Sequence, residues 1–345
     1  MSDIAEPLAE YLETQIDGAS NVVISDIHRI HGGASRETFR LRARYDLDGQ
    51  KISRPLILRR DPVSSLIDTE REKEFQAFAT FHGTDVPAPE PLYLETESSA
   101  LGQPFFIMEM VEGCEASNIF ADDPFGEHKD TIGEQLFSIL GRIAAHNTDQ
   151  GGLASVLDRP KLDGCWRREL DYWEDVIDED ELEPQPIVRA AIRFMRKNPP
   201  PPAQRLSVVH GDYRAGNFLH DGAGTIRAIL DWEMVHFGDP LEDLAWSMDP
   251  LWSAGNDSHP ACTLPAARCI EIWEKASGLK VDPAALGWWR VFAAFKGEAI
   301  WISSAREFAE GRNMDPVLAF SGWYCAAFHN QRLMRLLSTL VPGAS

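Results

Sequence analysis

The stretch VVHGDYRAGNFL, residues 208–219, decides how the rest of the chain is read. Two valines lead in and Phe218-Leu219 leads out. Between them stand His210, Asp212, Arg214 and Asn217, with Gly211 and Gly216 among them. An apolar run that breaks so abruptly into polar residues and then resumes has left its strand for a loop. A second apolar run, TIRAIL, follows after the hairpin-like HDGAGT and ends at Asp231 in AILDWE, fourteen residues beyond Asn217.

Composition narrows the classes open to this loop. The chain has 345 residues, 44% hydrophobic and 25% charged, which is ordinary for a globular protein with a sizeable core. Its net charge of −21, from 54 acidic against 33 basic residues, argues against sequence-independent binding of nucleic acid. The same acidity would attract a cationic substrate, although solubility is its commoner purpose. No apolar run is long enough to span a bilayer. The acidic start MSDIAEPLAEYLETQI does not read as a secretory signal. Five cysteines without a C-x-x-C pair read as reduced, mostly buried thiols, and a cytoplasmic location is expected.

Working back from the loop, the first third reads as a short leading helix at YLETQI and three strands, the first two joined across Gly-Gly and the last two across DLDGQ. DTEREKEFQAFATFHGT follows as a helix with Phe75, Phe78 and Phe81 on one face, then extended VPAPEPLYLET and a buried strand PFFIMEMVEG ending at Gly113. From about residue 116 helices dominate. The first opens with Thr131 and Glu134 in capping-box spacing. WRRELDYWEDVI, PIVRAAIRFMRKN and a Trp-rich C-terminal part continue the pattern, and two short strands flank the loop.

Transfer of a phosphoryl group from a nucleotide needs a carboxylate at the attacking hydroxyl, oxygen ligands for Mg²⁺, a cation on the phosphates and backbone N–H groups over them. H-x-D-x-x-x-x-N supplies the first two: Asp212 on a tight loop for the hydroxyl, and Asn217, behind the turn at Gly216, for the metal. Asp231 at a strand end can reach the same metal. The spacing alone arises often by chance, and the flanking apolar strands and strand-terminal Asp make it specific. Two buried carboxylates without a cation would also be costly, so a metal is the economical expectation.

HGDYRAGNFL, ILDWE and GDPLEDLAW, in that order, resemble the aminoglycoside phosphotransferase and choline-kinase-like family. The resemblance is strongest to kinase domains found alone in bacteria or fused to acyl-CoA dehydrogenases. GGASRETF, LILRR, KEFQAF ahead of VPAPEPL, and FFIMEMVEG fit the same subgroup, over roughly residues 20–335. The resemblance implies an α+β, two-lobed protein-kinase-like fold. Residues 1–112 would form a nucleotide-binding lobe of small antiparallel sheet plus helix. Residues 113–345 would form a larger, mainly helical lobe with the catalytic loop and acceptor region. It also implies Asp212 as catalytic base, Asn217 and Asp231 as Mg²⁺ ligands, and His210 as a brace. Gly32, Gly33, Ala34 and Ser35 would cover the phosphates, Arg59 would pair with Glu74, and the backbone from Glu109 to Val111 would meet adenine. Asp239 and Asp243 would tie the loop down. The chain departs from kinases in carrying Arg59, with Arg60 beside it, where Lys is usual, and in following Asp231 with Trp-Glu. Arg59 also has an ordinary reading as an edge-strand surface charge.

The co-substrate implied is ATP, with GTP left open, together with Mg²⁺. The acceptor is expected to be a small-molecule hydroxyl. Gly238 follows Asp231 by only seven positions, which leaves no long activation segment to hold a peptide. A hydroxylated metabolite such as a hydroxyacyl-CoA, a polycationic aminoglycoside, and nucleotide binding without chemistry all remain as readings. The acidic run DVIDEDELE (175–183) would suit an aminoglycoside, while Lys296 and Arg306 are the cations for an anionic acceptor.

Overall fold

The computed structural model describes residues 2–30, 37–61, 71–97, 100–118, 121 and 123–340. Gly32, Gly33, Ala34 and Ser35 lie outside the described residues.

The helix α1 (Ser2–Gln15) leads into five antiparallel strands, β1 (Ser20–Ile30), β2 (Glu37–Leu47), β3 (Gln50–Arg60), β4 (Pro91–Glu95) and β5 (Phe105–Glu109), in the order β1-β2-β3-β5-β4. Asp48 and Gly49, both at positive φ, form the two-residue β2–β3 turn, with Leu47 facing Gln50. Strand alternation divides this sheet between two cores. Leu56, Leu58, Phe105 and Ile107 pack with Leu8 and Leu12 of α1, whereas Ile57, Phe106 and Met108 face the main core with α2 (Arg71–Phe81). Arg59 shares the parity of Ile57 and so points inward, toward α2. Arg60 takes the other face, over the ring of Phe39, and pairs with Glu37 at 2.6 Å. The surface-charge reading of Arg59 is therefore wrong, since the residue is only 8% exposed.

Beyond β5 the chain turns helical. β6 (Cys114–Ala116) pairs with β8 (Phe218–Asp221) and β8 with β9 (Ile226–Ile229), while β7 (Ser207–Val209) pairs with β10 (His236–Gly238). The two strands expected to flank the loop thus belong to different small sheets. Helices α3 (Lys129–Ala145), α4 (Leu153–Val156), α5 (Cys165–Asp180), α6 (Pro186–Lys197), α7 (Leu241–Ser247), α8 (Ala266–Ser277), α9 (Pro283–Ala309), α10 (Pro316–Phe320) and α11 (Ala326–Leu340) complete the lobe, with a π turn at Ser321–Cys325. The expected capping box at Thr131 is not formed. A 3₁₀ turn at Gly126–His128 starts the helix earlier, and Thr131 lies inside it. Gly141 lets α3 meet α8 closely: a Cβ there would stand 2.6 Å from the Cβ of Ala276.

α9 is buried on nearly every side. Trp288, Trp289, Phe292 and Phe295 are core residues, as an apolar all-round helix requires. It also carries Glu298, fully buried. Burial pushes that carboxyl up to about 9, with the backbone N–H of Asn330 opposing. An acid whose folded pKa exceeds its unfolded value loses stability as pH rises between the two, here from 4.5 to about 9. Glu298→Gln should match the wild type near pH 4 and become progressively more stable than it toward pH 9. Urea titrations across that range test this, and a constant difference would refute it.

Candidate active site

The loop between β7 and β8 is shaped by buried ionisable groups from helices distant in sequence. The Asp243 carboxylate, at the start of α7, accepts the backbone N–H groups of His210 (2.6 Å) and Gly211 (2.9 Å). Lys296 of α9 donates its Nζ to the carbonyl of Gly211 at 2.6 Å and to Glu242 Oε1 at 2.9 Å. Burial alone would lower the Lys296 pKa, but Glu242, with Glu169 farther off, raises it above the ordinary value. Burial likewise opposes ionisation of Glu242, yet Lys296 and His236 hold it down at about 2. Burial and the neighbouring Glu242 push Asp243 up to about 7, against the two N–H bonds. Glu169, His236 and Glu242 approach one another closely enough for a metal. They are already matched by Lys296 and by Arg168, 2.8 Å from Glu169. Asp239 accepts from the Leu241 N–H and the Trp289 indole, so it anchors α7 to α9.

These bonds leave Gly211 at φ +88, where a Cβ would sit 2.5 Å from the carbonyl oxygen of Met234. His210, fully buried, accepts the Asp212 N–H at Nδ1 (3.1 Å) and therefore donates from Nε2 to the Leu230 carbonyl (2.9 Å). Burial lowers its pKa to about 4, so the ring is a neutral brace. The N–H of Leu230 donates to the carbonyl of Asn217 at 2.8 Å. The loop and the end of β9 are thereby stitched together, which brings Asp231, the residue after Leu230, next to the loop that carries Asp212 and Asn217.

The Asp212 carboxylate is held by three side chains. Trp246 Nε1 donates to Oδ1 at 2.7 Å, Asn217 Nδ2 to Oδ2 at 2.6 Å, and Arg214 Nε to both oxygens at 3.0 and 3.1 Å. Asn217 thus spends its side-chain amide N–H groups on Asp212 and keeps its side-chain oxygen Oδ1 without a partner among the described residues. Asp231 sits at φ +67, ψ +52, a left-handed conformation rare outside glycine but tolerated by Asp. Its Oδ1 accepts Arg59 Nη2 at 2.9 Å, and its Oδ2 has no hydrogen bond among the described residues. Those two open oxygens are the hard donors that Mg²⁺ takes, so the residues fit the ion.

Arg59 bridges the lobes. Its Nε lies 3.2 Å from Glu74 of α2, and its Nη2 lies 2.9 Å from Asp231 and 3.8 Å from Glu233. Burial opposes its charge, and the three carboxylates more than restore it. Part of the cation expected for the buried carboxylates is therefore Arg59 itself, though three acids still outnumber it. Burial likewise opposes ionisation of Asp231, and Arg59 holds its carboxyl below the ordinary value. Trp232, next to Asp231, stacks on Phe81 of α2 with ring centroids 4.7 Å apart and touches His210 on its other side. At the end of β5 the Glu109 N–H donates to Glu90 and the Met110 N–H to Pro55. Pro55 has no N–H to return, and the Val111 N–H has no partner among the described residues.

A model of the phosphotransferase enzyme family matches residues 26–279, more than half of the chain. The chain belongs to this family. The phosphotransferase is 28% identical over 198 residues to mouse acyl-CoA dehydrogenase family member 10, covering 56% of this chain and 18% of that protein. It is 26% identical over 225 residues to chicken acyl-CoA dehydrogenase family member 11, covering 64% and 27%. It therefore spans less than a third of the length of these relatives. Among solved structures it superposes on a Ralstonia eutropha protein of the aminoglycoside-phosphotransferase type with a TM-score of 0.73, 20% identity and coverage of 96% and 97%. It also superposes on aminoglycoside phosphotransferase APH(4)-Ia, solved with AMP-PNP and hygromycin B, with a TM-score of 0.61, 17% identity and coverage of 98% and 100%. At these identities the neighbours show the fold, which is the two-lobed protein-kinase-like one.

Sequence reasoning missed Trp246 and Arg214 as partners of Asp212, although both stand in the quoted motifs. It also mistook Lys296 and Arg306 for acceptor-site cations. Lys296 is buried behind the loop, and Arg306 is spent on Asp180 and Glu310. Gly211→Ala should cost about 2 kcal/mol or more of stability, because strain at positive φ adds to the clash with Met234. Denaturant unfolding measures it, and a loss near zero would mean the loop is not braced as described.

Proposed function

We propose that this phosphotransferase transfers the γ-phosphoryl group of ATP, or of GTP in its place, to a hydroxyl of a small molecule. Asp212 is the base that orients and deprotonates the hydroxyl. Asn217 and Asp231 hold Mg²⁺, which when bound neutralises phosphate charge. Arg59, positioned by Glu74, meets the phosphates; Gly33, Ala34 and Ser35 cover them; the backbone between Glu109 and Val111 takes the nucleobase. The observation that supports this reading is that Asn217 is hydrogen-bonded to Asp212 by its side chain and to Leu230, the neighbour of Asp231, by its backbone carbonyl.

The acceptor is a hydroxylated metabolite, of which a hydroxyacyl-CoA is one form. The relatives named for acyl-CoA dehydrogenases support that choice. Neighbours solved with hygromycin B and with kanamycin favour an aminoglycoside instead. Half of the acidic run that would recruit a polycation is matched from within, however: Asp178 and Glu181 pair with Arg189, and Asp180 pairs with Arg306.

In a coupled assay of nucleotide consumption across a panel of hydroxylated acceptors, Asp212→Asn should lower turnover by about 10²- to 10⁴-fold and leave nucleotide affinity nearly unchanged. Asp231→Ala should instead weaken binding of the Mg²⁺-nucleotide complex itself. Wild-type turnover by Asp212→Asn would overturn the assignment. Nucleotide binding with no Asp212-dependent turnover on any acceptor would leave a binding protein.

A further inference from the structure

Arg214 lies two residues beyond Asp212, and the family reading gives it no role. Its Nε is shared between both oxygens of Asp212, and its Nη1 donates to the Ala215 carbonyl at 3.2 Å. The guanidinium lies over the ring of Trp252 with its central carbon 4.7 Å from the centroid. Its Nη2 has no partner among the described residues, and the side chain is 21% exposed.

An ionised carboxylate has about four lone-pair sites. On Asp212 they meet Trp246 and Arg214 at Oδ1, and Asn217 and Arg214 at Oδ2. A hydroxyl that is to give up its proton there must displace one of these donors. Trp246 is 1% exposed and fixed between α7 and the Trp252 ring, 5.2 Å away. Asn217 is 8% exposed and also tied to the Asp212 carbonyl. Arg214 holds both oxygens only through one shared N–H, is the most exposed of the three, and can turn on Trp252 while keeping its cation–π contact. A guanidinium leaves one carboxylate readily only for another anion, which it can grip with two donors.

We propose that Arg214 determines acceptor specificity: it recognises an anionic group, a carboxylate or phosphate monoester, carried by the acceptor close to its reacting hydroxyl. This rests on the reading of Asp212 as the base. Turning to that anion, Arg214 frees one lone-pair site on each oxygen of Asp212. The acceptor oxygen then passes its proton to Asp212 and forms the new O–P bond as the bond from the γ-phosphorus to the β-phosphate oxygen breaks, with the nucleoside diphosphate leaving. The proposal narrows the acceptor class to hydroxy acids and phosphorylated alcohols. A polycation would meet Arg214 at like charge, and a thioester would present no anion beside the hydroxyl, so among hydroxylated metabolites the inference selects the free acid or phosphate over the hydroxyacyl-CoA form. The other anions within the field of Arg214 are Asp231 and the phosphoryl group that would sit beside it, so the transferring phosphate is the competing destination.

The test is kinetic, with Mg²⁺-ATP and matched acceptors: short-chain hydroxycarboxylates, their primary amides, the corresponding amino alcohols, their CoA thioesters, and hydroxyalkyl phosphates. Wild-type enzyme should prefer the carboxylate or phosphate members. Arg214→Gln should lower kcat/KM for those members by about 10- to 100-fold, the range of a charge-assisted hydrogen bond. It should lower kcat/KM for the amides by a clearly smaller factor, through the lost clamp on Asp212, and leave the KM for ATP near its wild-type value, and Arg214→Lys should restore part of the loss on the anionic members. The proposal is overturned by equal losses on anionic and neutral members, by a raised KM for ATP, by preference for the amines or thioesters, or by no turnover of any anionic member. Turnover that Asp212→Asn does not reduce would instead overturn the reading of the base. Turnover lost in Asp212→Asn while Arg214→Gln keeps the anionic preference would sink only this inference.

Discussion

The buried ammonium of Lys296 between the Gly211 carbonyl and Glu242 is the contact on which the rest of the site hangs. A lysine so deep in the core is tolerable only if its charge is matched and its N–H donors are used. The fold meets both conditions with groups that also shape the loop. Glu242 supplies the countercharge, Gly211 the carbonyl, and Asp243, the next residue along α7, takes the two N–H groups of the same turn. One helix start and one lysine therefore define the conformation of residues 210 and 211. Removing either partner alone would strand a buried charge, which couples α7, α9 and the loop between β7 and β8 into one unit.

A second chain of contacts carries that rigidity across the cleft. His210 holds Leu230 and touches Trp232, Trp232 stacks on Phe81, and Phe81 shares α2 with Glu74. Glu74 in turn pairs with Arg59, whose other end reaches Asp231. The circuit closes on itself through both aromatic packing and ion pairs. A displacement of α2 would thus be felt at Asp231 by two routes, one apolar and one electrostatic. The left-handed backbone at Asp231 is the sort of local strain such over-determination can sustain.

Much of this was legible in the sequence where the signal is local. The polar interruption at 208–219, the Asp-Gly hairpin between β2 and β3, and the phenylalanine spacing of α2 each state their structure in a few consecutive residues. Arg59 and Arg60 stayed unresolved from sequence, and only the packing of Ile57 and Leu58 on opposite faces of β3 separates them. What was not legible depends on partners far along the chain. Lys296 reads as an acceptor-site cation until Glu242 and Gly211 are placed against it. The pairing of β7 with β10 rests on strands of three residues, too short to announce a partner. The capping-box spacing at Thr131 misled because a preceding 3₁₀ turn already starts the helix.

The division of labour in the site follows from which bonds are sheltered. Asp231 is braced by the buried Arg59, and the loop before Asp212 by the buried Asp243 and Lys296. Asp212 stands beside Asn217, and one of its three clamps is a partly exposed arginine resting on a tryptophan face. A fold can conserve the geometry of phosphoryl donation while varying the acceptor only if the variable contacts are not themselves part of the brace. Arg214 meets that condition: it is the most exposed of the three clamps on Asp212 and makes no bond to Lys296 or Asp243, which hold the loop rigid. Acceptor choice is therefore expected to reside in side chains leaning on Asp212, and the acidic surface of the protein contributes at most a long-range field that salt screens.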